Sequence, residues 1–376
     1  MIYREFNKLS FKPSLLGFGC MRLPLREDKQ IDFERTQEMF DLAIKAGVTY
    51  FDTAYMYLDG QSEIVVGKIL KNYPRDTFTI TSKLPVWLIK KEDEILEIFY
   101  KQLSKLQVEY LDIYLLHAIN KADYLRIKSL NVFDILTKLK DEKKIKHIGF
   151  SFHGTYEDFE FIVNDGLKYW DIVQIQLNYM DTRLQQGIRG YYLLKRKGIP
   201  VLIMEPVKGG SLSRLPSDIS APLFKKQPDK TISSWAFRWL FKLDGIVTIL
   251  SGMSTEDQVI DNIKTFTEYE PLSIYEEKIL MEAKMKLKSR IIVPCTGCAY
   301  CVPCPKGVKI NHAFYRFNEM FMFERFHEWD YMTLLGDHKI NECVNCGLCK
   351  TKCPQSINIP LIIAQIQKSL KTKSFD

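Results

Sequence analysis

The 376-residue chain has no apolar run near the ~18 residues that span a bilayer, so neither a membrane segment nor a membrane partner is expected. Met1–Ser10 lacks the apolar stretch of a signal peptide, which points to the cytoplasm. Blocks of one charge are also missing. The 53 Lys and Arg are interspersed with 46 Asp and Glu, so the net charge of +7 gathers into no basic stripe and nucleic acid is not an expected partner. Even the densest basic run, Lys138–Lys146, contains Asp141 and Glu142 and suits a solvated helix end. Cysteine is almost absent from the first 294 residues, where Cys20 stands alone in a strand-like run as a small core residue. The other eight lie between Cys295 and Cys353, a segregation that excludes a disulfide-stabilised secreted fold. With 46% hydrophobic, 12% aromatic and 26% charged residues, disordered, collagen-like and coiled-coil classes are excluded too.

What is present is an alternation of short β-branched runs with longer amphipathic ones. The strand-like runs are Leu15–Met21, Thr49–Thr53, Phe78–Lys83, Leu111–His117, His147–Ser151, Ile172–Asn178, Pro200–Glu205 and Ile246–Gly252. Helical spacing recurs between them, as in Asp32–Ala46, where Asp32 can cap the start and Gly47 the end. Continuously apolar strands such as Leu111–Leu116 belong to a parallel sheet covered on both faces. Eight such units in roughly 250 residues predict an α/β fold, a (β/α)8 TIM barrel. No Gly-x-Gly-x-x-Gly turn follows the first strand, which disfavours a doubly wound sheet. Ile2–Lys12 suits a hairpin closing the barrel bottom, and Ser273–Arg290 a connector helix. The expected domains are 1–290, the barrel with its connector, and 291–376, where the composition turns to Cys, Gly and Pro.

In such a barrel the chemistry sits where strands end. Asp52 lies at the end of the second strand and Tyr57 just beyond it, Lys83 closes the third and His117 the fourth. Each alone has a bland explanation: a turn cap, a rim tyrosine, a surface lysine, a satisfied histidine. Together they form a coherent set. A phenol of pKa ~10 is a poor acid at pH 7, but a neighbouring ammonium stabilises the phenolate and lowers that pKa. Lys83 can supply the ammonium and Asp52 can keep it charged, while His117 can hold a carbonyl oxygen beside Tyr57.

At these residues the chain resembles the aldo-keto reductase superfamily, whose Asp, Tyr, Lys and His tetrad falls on Asp52, Tyr57, Lys83 and His117. The resemblance covers about residues 1–270 and includes Leu16–Gly19, Ile148–Ser151, Gln174 to Asn178, and Ser251–Ser254 with Gln258 and Asn262. It implies NADH or NADPH across the barrel mouth, hydride transfer to or from a carbonyl or alcohol, and Tyr57 as general acid and base. Implied cofactor contacts are Gly19, Met21 and Asp52; Ser151 and Gln174 facing the carboxamide; Glu205, Val207, Gly210 and Leu212 along the pyrophosphate; and Gly252, Ser254, Gln258 and Asn262 around the adenosine. Three positions depart from the common pattern: Ser151 is followed by Phe152 and His153, Glu205 stands where many members stack a Tyr, and Gly252 and Gln258 replace basic residues.

Two cysteine runs complete the chain. Cys295, Cys298, Cys301 and Cys304 are two residues apart, with Pro305 after the last; Cys343, Cys346, Cys349 and Cys353 end in a three-residue gap and Pro354. Structural zinc prefers paired knuckles or Cys with His, whereas three cysteines at consecutive two-residue gaps, a fourth just beyond and a Pro match the bacterial ferredoxin run, in full for the second run and with one residue fewer before Cys304 in the first. By resemblance to two-cluster ferredoxins, Cys295, Cys298, Cys301 and Cys353 would hold one [4Fe-4S] cluster and Cys343, Cys346, Cys349 and Cys304 the other. The 38 residues between Cys304 and Cys343 suit a small α-helical ferredoxin-like domain. A barrel followed by such a domain resembles the iron-sulfur branch of the aldo-keto reductases, with a small-molecule substrate and a redox partner protein implied. Hydride is a two-electron carrier and the clusters are one-electron carriers, with no identifiable flavin site to couple them. Two other readings stay open: a docking or sensing module without carbonyl turnover, and an enzyme whose clusters are purely structural.

Overall fold

The computed structural model describes residues 1–372 and separates into two compact units, Met1–Ser213 with Lys230–Ile274, and Arg214–Asp229 with the chain from Tyr275 onward.

The first unit is a closed barrel of eight parallel strands in sequence order. They are β1 (Leu16–Gly19), β2 (Tyr50–Asp52), β3 (Thr79–Leu84), β4 (Leu111–Ile119), β5 (Ile145–Phe152), β6 (Ile172–Gln176), β7 (Val201–Met204) and β8 (Ile246–Ser251). All eight expected strands are present, and the TIM-barrel fold read from the sequence is the fold observed. Both faces of the sheet are dry because helices cover the outside and apolar side chains fill the lumen. The lumen holds Tyr50, Ile113, Leu115, Ile172, Leu202 and Val247. Gly149 is required where β5 meets β6, since a Cβ there would lie 2.0 Å from the Ile172 carbonyl oxygen.

Helices begin where caps are available. Asp32 accepts the Arg35 N–H at 3.1 Å to start Phe33–Lys45, and Gly47, at φ +89°, follows its end. Two helices were not legible in the sequence: Lys121–Lys128, which buries only Tyr124 and Ile127, and Ser217–Lys226, which contains Pro222. The opening segment forms no hairpin. It makes one antiparallel bridge, Tyr3 to Ser14, and its Phe6, Leu9 and Phe11 pack against the lumen cluster.

The second unit takes in the helix Ser217–Lys226 and most of Ile274–Ser289, read from the sequence as a connector on the barrel side. Arg290 pairs with Asp218 and Glu324 at 2.8 Å each. Helices Ile310–Met322, Glu328–Leu335 and Ile359–Thr372 enclose a core that includes Phe314, Phe317, Leu334, Ile363 and Ile366. Most of the cysteines border that core. No helix among the described residues is long and apolar enough to cross a membrane.

Candidate active site and cysteine cavities

The strand ends bring the four expected side chains together. Asp52 is the last residue of β2, and its pairing partner on β3 is Thr81, two residues before Lys83, so both carboxylate and ammonium point into the same end of the lumen. Lys83 is fully buried. Its Nζ lies 2.5 Å from Asp52 Oδ1, 2.8 Å from the Thr53 carbonyl oxygen and 3.2 Å from Tyr57 Oη. The Tyr57 ring meets His117 edge to face at 5.9 Å between centroids, and Trp87 covers His117 from another side at 5.1 Å. β4 is irregular between Leu116 and Ile119, with Ala118 in the left-handed region at φ +49°. The Ala118 N–H donates to Ser151 Oγ at 2.8 Å, which fixes this irregularity beside His117.

The electrostatics follow from burial. Asp52 and Tyr57 hold Lys83 above its ordinary pKa despite desolvation, so it is an ammonium at neutral pH. Burial works the other way on Asp52, opposed by Lys83 and by Gln174, which donates to Asp52 Oδ2 at 2.9 Å. The expectation that Lys83 would lower the Tyr57 pKa is corrected in its net effect. Lys83 does pull it down, but burial is larger and the phenol stands above its ordinary value. His117 is pushed down to about 3, first by burial and then by Lys83 and His153, so its imidazole is neutral. His117 Nδ1 is buried without a hydrogen-bond partner.

Around this group the other expected residues fall into three sets. Ser151 and Gln174 pair on β5 and β6 and are both buried, but Ser151 is engaged by Ala118 and Gln174 by Asp52. After β7, Glu205, Lys208, Gly209 and Gly210 all adopt positive φ, and Val207 accepts the N–H of Gly210 and of Leu212 at 3.0 Å. Asn178 donates to the Glu205 carbonyl oxygen at 3.1 Å and Lys208 pairs with Asp181 at 2.9 Å, tying this loop to the segment that follows β6. After β8, Asn262 donates to Ser251 Oγ at 2.8 Å, and Gln258 Oε1 accepts the Ser254 N–H at 2.8 Å. Gly19 lies against Ser251, while Met21 is exposed.

Sequence reasoning missed three contributors. Arg22 is exposed, with its carbonyl oxygen accepting from Ser254 Oγ at 2.6 Å. A Cβ on Gly252 would lie 3.5 Å from Arg22 Cδ, and one on Gly209 3.4 Å from Nη2, so the guanidinium side chain reaches both glycine loops. An isolated surface Arg carries no signal of this. Trp87 was findable, as a lone aromatic in the loop directly after Lys83. The third is a buried network behind β3, in which Glu63 Oε1 accepts from Ser82 Oγ and Gln102 Nε2 at 2.6 Å and Gln102 Nε2 also donates to the Lys83 carbonyl oxygen at 3.1 Å. Cys20 is fully buried, as expected of a core residue.

In the second unit the eight clustered cysteines rim two cavities. One is lined by Cys295, Cys298, Cys301 and Cys353. The other is lined by Cys304, Cys343, Cys346 and Cys349, with Cys301 between the two. The first cavity thus combines three cysteines of one run with the last cysteine of the other, and the second combines three cysteines of the later run with Cys301 and Cys304 of the earlier one. Among the described residues no three Cys, His, Asp or Glu side chains converge as on a single metal ion. A backbone N–H, that of Gly297, donates to Cys295 Sγ at 3.4 Å. Cysteine-rich cavities of this kind fit iron-sulfur groups.

Comparison with known proteins agrees with this division. The aldo/keto reductase family profile matches residues 15–284 and the 4Fe-4S dicluster domain profile residues 294–358. A relative named uncharacterized oxidoreductase YqkF, from Bacillus subtilis, is 24% identical over 69% of this chain and 90% of its own length. The NADH-specific methylglyoxal reductase of Escherichia coli is 26% identical over 63% of this chain and 82% of its own. The holo form of the aldo-keto reductase AKR11C1 from Bacillus halodurans superposes with a TM-score of 0.62 at 25% identity, covering 75% of this chain and 96% of that one. From the strand-end geometry and these matches together, the chain belongs to the aldo/keto reductase family and carries a C-terminal 4Fe-4S dicluster domain.

Proposed function

We propose that the barrel binds NADH or NADPH across its mouth and catalyses hydride transfer to or from a carbonyl or alcohol, with Tyr57 as general acid and base. The observation that carries this is Lys83 Nζ, buried and within 3.2 Å of Tyr57 Oη while held by Asp52 at 2.5 Å. When bound, the dinucleotide supplies or accepts the hydride. Tyr57 Oη delivers a proton to the oxygen on which negative charge develops, and the Lys83 ammonium stabilises the phenolate left behind. Asp52 keeps that ammonium charged through the cycle. His117, neutral at pH 7, offers the substrate oxygen a hydrogen bond without competing as an acid. Trp87 and His153 border the space where the substrate carbonyl would sit.

The residues around the mouth fit a dinucleotide. The Gly209–Gly210 loop at positive φ leaves backbone uncovered by side chains, and Arg22 reaches over it with a guanidinium suited to phosphate oxygens. The second unit would hold two [4Fe-4S] clusters, one on Cys295, Cys298, Cys301 and Cys353 and one on Cys304, Cys343, Cys346 and Cys349. That chemistry adds one-electron transfer, and with it a redox partner. The test is isotopic. Holoprotein incubated with 4-deuterated NADH and a panel of aldehydes and 2-oxoaldehydes should place deuterium on the carbinol carbon of the product; dinucleotide binding without deuterium in any product would overturn hydride transfer.

A further inference from the structure

The two cysteine cavities differ in what surrounds them. Besides its sulfurs, the Cys295, Cys298, Cys301 and Cys353 cavity is lined by Thr296, Ala299, Gln355 and apolar side chains, with no ionised group. The Cys304, Cys343, Cys346 and Cys349 cavity is lined by Lys306 and Lys352 and by no carboxylate. Both lysines are exposed, as is Lys350 on the short helix Leu348–Thr351 that leads to Lys352. Lys339 is brought to the turn that follows Lys306, its Cδ lying 3.9 Å from where Gly307 would carry a Cβ. Among the described residues none of these four lysines has an ion-pair partner. Asp337 and Glu342 are the nearest acids in sequence and leave the excess positive. Beside these lysines the surface is apolar and sulfur is accessible: Val344 is 59% exposed, Leu348 52%, and Cys346 is exposed.

An apolar centre with an ionic rim of one sign suits a transient encounter with a partner of the opposite sign. A group held by exposed cysteine at that centre suits electron exchange, and the surrounding positive charge favours the reduced, more negative state. We propose that this lysine-bearing face docks an acidic protein that carries one electron at a time, and that electrons pass there to the cluster of Cys304, Cys343, Cys346 and Cys349. The proposal rests on the cluster assignment above. In the step, one electron leaves the reduced carrier and enters the oxidised cluster. The carrier is oxidised by one and the cluster reduced by one, with no bond made or broken. The other cavity, lined by no charged side chain, gives an acidic carrier less attraction.

The experiment is anaerobic stopped-flow reduction of the full-length holoprotein by photoreduced flavodoxin, an acidic one-electron carrier, followed at the cluster absorption. Lys339→Glu and Lys350→Glu flank the cavity without lining it, and Lys339→Ala with Lys350→Ala is the milder pair. Iron and acid-labile sulfide per chain are measured on every variant. The expected result is a second-order rate constant lowered about tenfold or more by the double charge reversal, and a wild-type rate that falls steeply as salt rises from about 0.02 to 0.3 M. Reduction by dithionite should respond more weakly to both, because its reactive radical anion carries a single charge and makes no extended contact with the face. A rate by flavodoxin that ignores both salt and charge reversal, in variants with wild-type iron, overturns the docking face. Wild-type protein that takes up no iron would instead overturn the cluster assignment.

Discussion

Replacing Lys83 by Met removes a buried ammonium and leaves a buried carboxylate, and the size of the effect can be worked from the site. Lys83 and Asp52 are almost fully enclosed, so solvent screens their interaction little. Breaking a buried pair by deleting one partner costs roughly 3–5 kcal/mol. The loss has a ceiling, because Asp52 can take up a proton. From an ordinary carboxyl pKa of 3.8, protonation at pH 7 costs about 4 kcal/mol at ~1.4 kcal/mol per pH unit. The variant therefore binds on folding a proton that the parent does not, so acid favours its folded state relative to the parent. Lys83→Met should be destabilised by about 4 kcal/mol at pH 7 and by less than about 2 kcal/mol at pH 5. Adding Asp52→Asn should recover most of the loss and remove its pH dependence. The assay is urea unfolding at the two pH values, followed by the emission of Trp170 and Trp235, both buried in the barrel. A loss that is equal at pH 5 and 7, or one that Asp52→Asn deepens, would refute the buried ion pair. Turnover gives an independent reading. Lys83 also holds the Tyr57 pKa down against burial, so Lys83→Met should be slow and its high-pH limb should move upward.

Arg22→Ala should weaken NADH and NADPH binding alike, by about tenfold or more, because the guanidinium reaches the Gly209 loop expected along the shared pyrophosphate; unchanged affinity for both would dismiss it. The parent should prefer NADH weakly or show no clear preference, given Gly252 and Gln258, and a preference for NADPH beyond about tenfold, ~1.4 kcal/mol, would contradict that. Anaerobically reconstituted protein should carry about eight iron and eight sulfide per chain, and stoichiometric zinc would refute the cluster reading. Cys353→Ala should disturb the cluster of Cys295, Cys298 and Cys301, while spectroscopic loss of only the other cluster would mean that each run serves itself.

The barrel was legible because parallel strands buried on both faces leave continuous apolar runs, and Leu111–Leu116 is one. The tetrad was legible because Asp52, Lys83 and His117 interrupt those runs only at their ends. Less visible was whatever depends on partners distant in sequence. Gln174 sits on Asp52 across 122 residues, and no local pattern foretells that contact. The direction of the Tyr57 shift depends on how much of the phenol is enclosed, which is set by packing with His117 and not by the spacing from Asp52. Ser217–Lys226 was hidden by Pro222, and its grouping with the second unit depends on contacts such as that of Arg290 with Asp218. The cysteine spacing, by contrast, carries its information locally, and each cavity draws cysteines from both runs.

The central claim is that Tyr57 moves the proton that accompanies hydride transfer. Single-turnover oxidation of bound NADH by an aldehyde that the parent reduces, compared between the parent and Tyr57→Phe, tests it most directly. The phenyl ring keeps the edge-to-face contact with His117, so dinucleotide affinity should be unchanged. The hydride step should slow by roughly 10²–10⁴-fold. A Tyr57→Phe protein that turns over at the parent rate would contradict the account.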